Sequence, residues 1–471
     1  MPADDRRPAA SLWTLPDGVA PAAPEHVPEP APGPDEPFAL SRQQEFLRMV
    51  DGGDDAGPFG PRYTIVGGWR ITGPLDVATL RAALADVVER HESLRTSIVR
   101  EPGNVHQRVR PARAPRLEVE VLPTEPAARD ERAELLLNDV ESRPVRMDQC
   151  PTLHARLGRF DDRDAVLVLA AHHTGVDGWS IQVVLRDLAL CYAARRAGRR
   201  PDLPPVRQYR EYVQWQRRVA ASPAFAAARR YWGQRLRGAA VTPVRMDRPR
   251  GDQRPDVTSW YRFLYEDDLR RRVQAYATVR RCTPFMVMAA AYVRYLADTT
   301  GRADVVMPTF TPGRRPAWTL DMVGSFFNLL PLRVRTDGCV GFDDLLDRVR
   351  TACLEAYRNE IPFVDLLGVA PELMGAAAGE EHAACVFQLV QSPFMAVGER
   401  VGDLTYQAMR RRLRSQPVGS QIPDGALWAV EFDVGGGIVG SVGYCRGQFR
   451  AGTVTELVAG YRDTLARALR T

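Results

Sequence analysis

The sequence predicts an α/β protein whose strands and helices come in two successive sets. In the first set, the apolar run at 165–171 has the length and β-branched content of a buried strand. A stretch with helical spacing follows it directly. The second set begins near Ser222 and includes 342–357, where apolar residues recur on one side of a helix. Mixed strands and helices in two successive sets predict a two-lobed α/β protein.

In the first set, the start of one helix can be predicted from its local sequence. Asp76 can cap a helix that carries Leu80, Leu84, Val87 and Val88 on one face. The other predicted elements of this set are a strand at 63–75, a helix near 131–142, the strand at 165–171 and a helix from about Ser180 to Arg196. Those of the second set are a helix at 284–296, a strand at 304–308, a helix at 342–357, a strand at 438–445 and a helix at 454–469.

The first 37 residues differ from the rest, because they contain ten prolines alternating with Ala, Gly and acidic residues. Such a segment buries too little apolar surface to offset the entropy lost on ordering. We therefore predict a disordered tail at 1–37, an N-terminal lobe at 38–218 and a C-terminal lobe at 219–471.

Composition limits the function. The chain has 45% hydrophobic and 26% charged residues, as soluble globular proteins do, and all 63 strongly basic residues are arginine. The arginines alternate with carboxylates and form no aromatic-studded basic stripe, which argues against nucleic-acid binding. No apolar run is long enough to span a membrane, and the N-terminus lacks signal-peptide order. The seven cysteines are scattered without a CxxC pair, which predicts no metal site and a cytoplasmic protein.

The segment His172-His173-Thr174-Gly175-Val176-Asp177-Gly178 carries the clearest chemical signal. It lies where the predicted strand ends and the next helix begins. Neighbouring side chains on a strand point to opposite faces, so the two histidines are not expected to share a metal ion. One ring is expected to face inward and the other an open site. Asp177 can fix a neighbour through a charged hydrogen bond, and Gly178 is expected to permit a positive φ.

This HHxxxDG pattern resembles the signature of the condensation-domain superfamily, which includes nonribosomal peptide condensation domains. Further resemblances occur in the family's order along the chain. They are SRQQEFL at 41–47, RHESLRTS at 90–97, YREYVQW at 209–215, VGSFFN at 323–328, RNEIPF at 358–363 and, weakly, VFQLVQ at 386–391. The resemblance implies two chloramphenicol acetyltransferase-like lobes in a V, with a tunnel and the active site at their junction.

The resemblance also implies the chemistry. The family takes an acyl donor from the phosphopantetheine thioester of a carrier protein and binds no cofactor of its own. His173 would remove or orient the proton of the acceptor nucleophile, and His172 would be mainly structural. Asp177 would form a buried ion pair, for which Arg95 is the first candidate. Gly178 would allow close approach of substrate or present its N–H to the oxyanion.

Three further residues are expected near the substrate. Asn328 is predicted to line the tunnel, with a turn role as the equal alternative. Trp179 and Ser325 are lining candidates because they adjoin the matched blocks, with packing as the alternative role of each. The glycine run at 435–437 is expected either to hinge a loop that crosses between the lobes or to turn a hairpin.

Three functions remain open. The first is a freestanding condensation enzyme of antibiotic or other secondary-metabolite biosynthesis, acting on a carrier protein in trans and on a small amine or alcohol. It would form an amide or an ester. The second is an epimerase-like or cyclising relative. The third is a non-catalytic module that recruits a tailoring enzyme.

Overall fold

The structure, a computed structural model, describes residues 36–51, 57–101, 103–146, 149–250, 257–390 and 396–470. Apart from its last two residues, the predicted tail at 1–37 lies outside these ranges. The strands are β1 (Thr64–Thr72), β2 (Thr96–Glu101), β3 (Asn104–Val109), β4 (Arg116–Val121), β5 (Leu153–Arg159), β6 (Asp164–His172), β7 (Val244–Arg245), β8 (Thr258–Tyr265), β9 (Asp304–Thr311), β10 (Asn328–Arg335), β11 (His382–Ala383), β12 (Cys385–Leu389), β13 (Val397–Val401), β14 (Leu404–Ala408), β15 (Ala426–Phe432) and β16 (Ile438–Cys445). The helices are α1 (Arg42–Met49), α2 (Val77–Arg90), α3 (Arg129–Ser142), α4 (Gly178–Arg196), α5 (Tyr209–Ala220), α6 (Pro223–Arg235), α7 (Asp267–Val279), α8 (Pro284–Thr300), α9 (Phe342–Arg358), α10 (Phe363–Leu367) and α11 (Ala451–Ala468).

The first sheet has the order β13-β14-β1-β6-β5-β4, with β6 near its centre. Alternate residues of β6 enter two different cores, because side chains on a strand alternate between faces. Leu167 and Leu169 pack with α2 and α4, whereas Val166 and Val168 pack with α3. Both faces of β6 are therefore covered, which explains why its sequence is continuously apolar rather than alternating.

The second lobe contains the sheet β12-β15-β16-β8 and the adjoining antiparallel pair β9–β10. Helices α8, α9 and α11 cover it. Its centre is a set of mutually packed aromatic side chains that are almost fully buried: Tyr292, Phe387, Trp428 and Tyr461. The predicted α/β class is thus confirmed, and the predicted strand at 438–445 coincides with β16.

One hairpin crosses the predicted boundary between residues 218 and 219. Strands β13 and β14 come late in the chain, yet β14 pairs with β1 and extends the first sheet. The division at 38–218 and 219–471 therefore fails for this hairpin. Sequence proximity could not reveal it, since β1 and β14 are more than 300 residues apart.

The glycine run at 435–437 turns the hairpin between β15 and β16, so the hinge alternative is wrong. Gly436 and Gly437 have φ values of 99° and 93°, which side chains rarely tolerate. Among the described residues, a segment that does cross between the lobes lies earlier in the chain, between β14 of the first sheet and β15 of the second.

Candidate functional site

The HHxxxDG segment forms the predicted strand, turn and helix. β6 ends at His172, and α4 begins at Gly178 with Asp177 as its N-cap. The Asp177 carboxylate accepts a hydrogen bond from the Ser180 N–H at 2.7 Å, which satisfies one of the free donors of the first turn. Two earlier blocks hold the turn: Ser93 Oγ donates to the Gly175 carbonyl at 2.6 Å, and Gln44 Nε2 donates to the Thr174 carbonyl at 3.0 Å.

The His172 ring is fully buried and both of its nitrogens have protein partners. Nε2 donates to the Gly60 carbonyl at 2.8 Å, so Nδ1 accepts from the Thr174 hydroxyl, also at 2.8 Å. Burial lowers the pKa of His172 to about 3, which keeps the ring neutral. Neither nitrogen is left for a substrate, so this ring shapes the turn.

His173 has a different environment. Its Nδ1 donates to the Val176 carbonyl at 2.7 Å, which leaves the lone pair on Nε2. Among the described residues, Nε2 makes no hydrogen bond. Its half-buried ring is stacked on Tyr63, with centroids 4.7 Å apart, and lies 4.8 Å from the ring of Phe327. Burial lowers the pKa of His173, so a neutral ring with an available Nε2 is favoured at neutral pH.

Asp177 forms the expected buried ion pair, but its partner is Arg314 at 3.0 Å and not Arg95. The Arg95 guanidinium donates to the carbonyls of Val88 and Arg110 within the first lobe. Arg95 lies inside the matched block at 90–97, whereas Arg314 lies outside the matched blocks and follows β9 in the second lobe. Folding places the distant arginine against the carboxylate.

Arg314 links the motif to the second lobe. It also donates to the Ser180 hydroxyl at 2.7 Å and to the carbonyl of Met322 at 2.8 Å, and its guanidinium lies 4.0 Å from the Phe326 ring centroid. Burial lowers the pKa of Arg314 despite the opposing effect of Asp177. The second Asp177 oxygen accepts from the Phe326 N–H at 3.1 Å, so one carboxylate joins the lobes twice.

The VGSFFN block lies at this junction, but its predicted lining residues face protein. The Asn328 amide donates to Glu360 and to the Ile361 carbonyl and accepts from the Phe363 N–H, which uses all its strong hydrogen-bonding positions but one oxygen lone pair. The Asn328 side chain thus fixes the loop before α10. Ser325 is fully buried, and its carbonyl accepts from the Tyr209 hydroxyl at 2.6 Å.

The half-buried Trp179 donates its indole N–H to the Leu320 carbonyl at 2.8 Å, which ties α4 to the second lobe. Gly178 does not have the expected positive φ. A Cβ placed on Gly178 would meet nothing within 4 Å, so this end of α4 faces open space. Its N–H belongs to the first helical turn, where no intrahelical acceptor is available.

Sequence reasoning missed three residues of the site: Tyr63, Arg314 and Phe327. Phe327 lies inside a matched block and could have been found there. Tyr63 immediately precedes β1 and has no local signature. Arg314 is one of 63 arginines, and its selection depends on packing. Among the described residues, no group of His, Cys, Asp and Glu side chains is arranged to hold a metal ion. No described helix is long and apolar enough to cross a bilayer.

This geometry defines a two-lobed α/β protein with a histidine at the lobe junction. The chain belongs to the condensation-domain family, since residues 60–470 match the family described as "Condensation domain". It is 33% identical over 351 residues to the phosphinothricin tripeptide synthetase PhsC of Streptomyces viridochromogenes, a match covering 73% of this chain and 32% of that synthetase. The chain therefore spans about a third of that relative.

Solved structures extend the comparison. The SgcC5 protein of Streptomyces globisporus, solved with (R)-(-)-1-(2-naphthyl)-1,2-ethanediol and sucrose, is 45% identical with a TM-score of 0.89, covering 92% of this chain and 98% of that one. The X-domain from teicoplanin biosynthesis, solved in complex with OxyB, has a TM-score of 0.71 at 21% identity, covering 96% of each chain. The fold is thus the predicted pair of chloramphenicol acetyltransferase-like lobes.

Proposed function

We propose that this protein is an acyltransferase that moves an acyl or aminoacyl group from a carrier protein's phosphopantetheine thioester to a small acceptor. The observation that carries the proposal is the state of His173. Its Nδ1 is held by the Val176 carbonyl, which leaves an unprotonated Nε2 that makes no hydrogen bond within the described residues and can accept a proton. A base with a fixed tautomer and a lowered pKa suits proton removal at neutral pH.

Each remaining part of the motif supports that base. The Asp177–Arg314 ion pair holds the loop and the start of α4 against the second lobe, and His172 shapes the turn. The acceptor's oxygen or nitrogen attacks the thioester carbonyl carbon as its proton passes to His173 Nε2. The same proton then leaves with the phosphopantetheine thiol.

Of the two acceptor classes, we propose an alcohol that carries an aromatic group, and hence an ester product. A hydroxyl depends more on proton removal than an amine, because a neutral amine already has a nucleophilic lone pair. Tyr63 and Phe327 flank His173, and Phe310 lies 5.5 Å from Phe327, so aromatic surface adjoins the base. SgcC5, which is 45% identical, was solved with an aryl diol.

The test is a transfer assay read by mass spectrometry. Carrier proteins encoded near the gene are loaded with acyl-phosphopantetheine and mixed with either 1-(2-naphthyl)-1,2-ethanediol or 2-amino-1-(2-naphthyl)ethanol. We expect an ester of the diol with wild type and at least a 100-fold loss with His173→Ala. Wild-type transfer only to the amine would overturn the ester assignment.

Absence of transfer from every carrier would overturn the enzymatic proposal. Tight binding of an oxidase by the same inactive protein would then favour a recruitment module, as in the X-domain complex with OxyB. Exchange of solvent deuterium into the donor's Cα without transfer would instead favour an epimerase-like relative.

The pH dependence of kcat/KM gives a second check. If His173 is the base, activity falls as its ring takes up a proton. Because burial lowers the pKa of His173, the midpoint of this acidic limb should lie below the ordinary histidine value of about 6.5. An acidic limb centred above that value would contradict the assignment.

A further inference from the structure

Tyr63 lies against the proposed base through both backbone and ring. The His173 N–H donates to the Tyr63 carbonyl at 2.8 Å, which continues the ladder between β1 and β6 by one step. The two rings are nearly parallel, with an interplanar angle of 18° and a centroid separation of 4.7 Å. Tyr63 is 6% exposed, so its ring position is fixed by packing.

The Tyr63 hydroxyl differs from those of the other tyrosines near this junction. Tyr209 donates to the Ser325 carbonyl at 2.6 Å, and the Tyr212 hydroxyl accepts from Gln216 at 3.0 Å. Within the described part of the chain, the Tyr63 hydroxyl makes no hydrogen bond. Tyr63 is distinguished by position: its unpaired hydroxyl is carried on the ring that stacks on His173, whose Nε2 is also without a partner in the described residues. The hydroxyl is therefore available to a ligand that His173 binds.

Protonation determines what this hydroxyl can offer. Burial raises the pKa of Tyr63 well above its ordinary value, so the phenol keeps its proton throughout the working range. His173 Nε2, by contrast, carries a lone pair and accepts. The two neighbouring groups therefore present one acceptor and one donor to a bound substrate.

We propose that the Tyr63 hydroxyl is a catalytic hydrogen-bond donor to the carbonyl oxygen of the acyl thioester. This inference rests on the proposed function. As the acceptor oxygen bonds to the carbonyl carbon, its proton passes to His173 Nε2 and the π electrons move to the carbonyl oxygen. Tyr63 stabilises that oxyanion. Collapse re-forms the carbonyl, breaks the C–S bond, and the thiolate takes the proton from His173.

The alternative target, the acceptor's own oxygen, is less favourable. A donor there withdraws the electron pair that must attack, whereas a donor to the carbonyl oxygen strengthens as negative charge develops. The Gly178 N–H has no intrahelical acceptor at the start of α4 and makes no hydrogen bond with the described residues, so it is a second candidate donor to the same oxyanion.

The test is Tyr63→Phe, which removes only the hydroxyl oxygen and keeps the stacked ring. The matched control is Tyr406→Phe. Tyr406 is also buried, and its hydroxyl makes no hydrogen bond within the described residues, but it lies on β14 and packs in the first-lobe core. Both variants are assayed as full chains with the acyl-carrier and naphthyl diol substrates, with wild type and His173→Ala alongside.

We expect Tyr63→Phe to lower kcat about 100-fold with KM for the diol and the melting temperature unchanged. The acidic limb of kcat/KM should stay in place, because the phenol does not titrate there. Tyr406→Phe should stay within about twofold of wild type.

Three results would overturn the inference. The first is a Tyr63→Phe variant as active as wild type while His173→Ala is inactive, which leaves the proposed function intact. The second is a shifted acidic limb that accounts for the loss, which would make Tyr63 a positioning residue for His173. The third is a wild type without any transfer, in which case the proposed function fails and the inference fails with it.

Discussion

Within the described residues, the buried carboxylates of Asp177 and Glu141 each form ion pairs that join the lobes, and the two differ in what they hold in place. In the first, Asp177 pairs with the single arginine Arg314. In the second, Glu141 at the end of α3 pairs with Arg262 on β8 at 2.9 Å and with Arg412 at 2.7 Å. Asp177 and Glu141 are 5% and 8% exposed, so desolvation is severe in both clusters.

The surroundings separate their roles. Asp177 lies four residues after the proposed base, His173. It also caps α4 and accepts a hydrogen bond from the Phe326 N–H. Glu141 instead binds Arg412, which lies in the segment that crosses from β14 to the second lobe. Burial alone would raise the pKa of Glu141, but Arg412 and Arg262 lower it overall, while burial lowers the pKa of Arg262 to about 10. The same chemistry therefore aligns a site in one place and fastens a crossing segment in the other.

The largest expected effect comes from Asp177→Asn. It leaves Arg314 buried without a counter-charge, which should cost about 3–5 kcal/mol in the free energy of unfolding. It should also lower kcat about 100-fold in the folded protein, because the loop carrying His173 loses its anchor. Denaturant unfolding and the transfer assay measure the two effects.

Asp76→Asn is the matched control, because Asp76 also caps a helix through a 2.7 Å bond to the Thr79 N–H but has no buried arginine. Asparagine caps helices about as well as aspartate, so this variant should change stability by less than about 1 kcal/mol. Equal losses in both variants would show that capping, not the ion pair, is what Asp177 contributes.

Glu141→Gln should separate stability from activity. Two arginines lose their carboxylate, so the free energy of unfolding should again fall by about 3–5 kcal/mol. In the folded fraction, kcat should fall by less than about tenfold, since the described contacts of Glu141 are to Arg262, Arg412 and Ser420 and not to the His173 loop. If Glu141→Gln lost as much activity as Asp177→Asn below the unfolding transition, the assignment of a purely structural role to Glu141 would be refuted.

The smallest effect is expected for Gly178→Ala, which tests how closely the aligned helix end is packed. A Cβ there meets nothing and φ is not positive, so stability should change by no more than about 1 kcal/mol. Gly175→Ala should be more destabilising than Gly178→Ala, because the new Cβ would lie 2.9 Å from the Ser93 carbonyl oxygen. If Gly178→Ala folds normally yet loses activity, substrate passes close to this position; if Gly178→Ala unfolds the protein, the open space at α4 is refuted.

Residue patterns predicted secondary structure correctly wherever a strand or a helix end is determined by neighbouring residues. The continuous apolar run predicted β6, and the run at 438–445 predicted β16 residue for residue. Asp76 was correctly predicted as a cap, because a cap acts over three residues. The motif and its companion blocks predicted the family and the two-lobed fold, and the expectation that Asp177 pairs with an arginine was correct in kind.

The tertiary structure alone decided which partners meet. Arg314, not Arg95, pairs with Asp177 across 137 residues, and β14 joins β1 across the lobe boundary. Tyr63 comes to lie on His173, and Asn328 turns its amide to the loop before α10. The sequence determined the elements because periodicity and capping act between neighbours. Contacts between distant segments depend on how the sheets and helices pack, and no spacing along the chain encodes that choice.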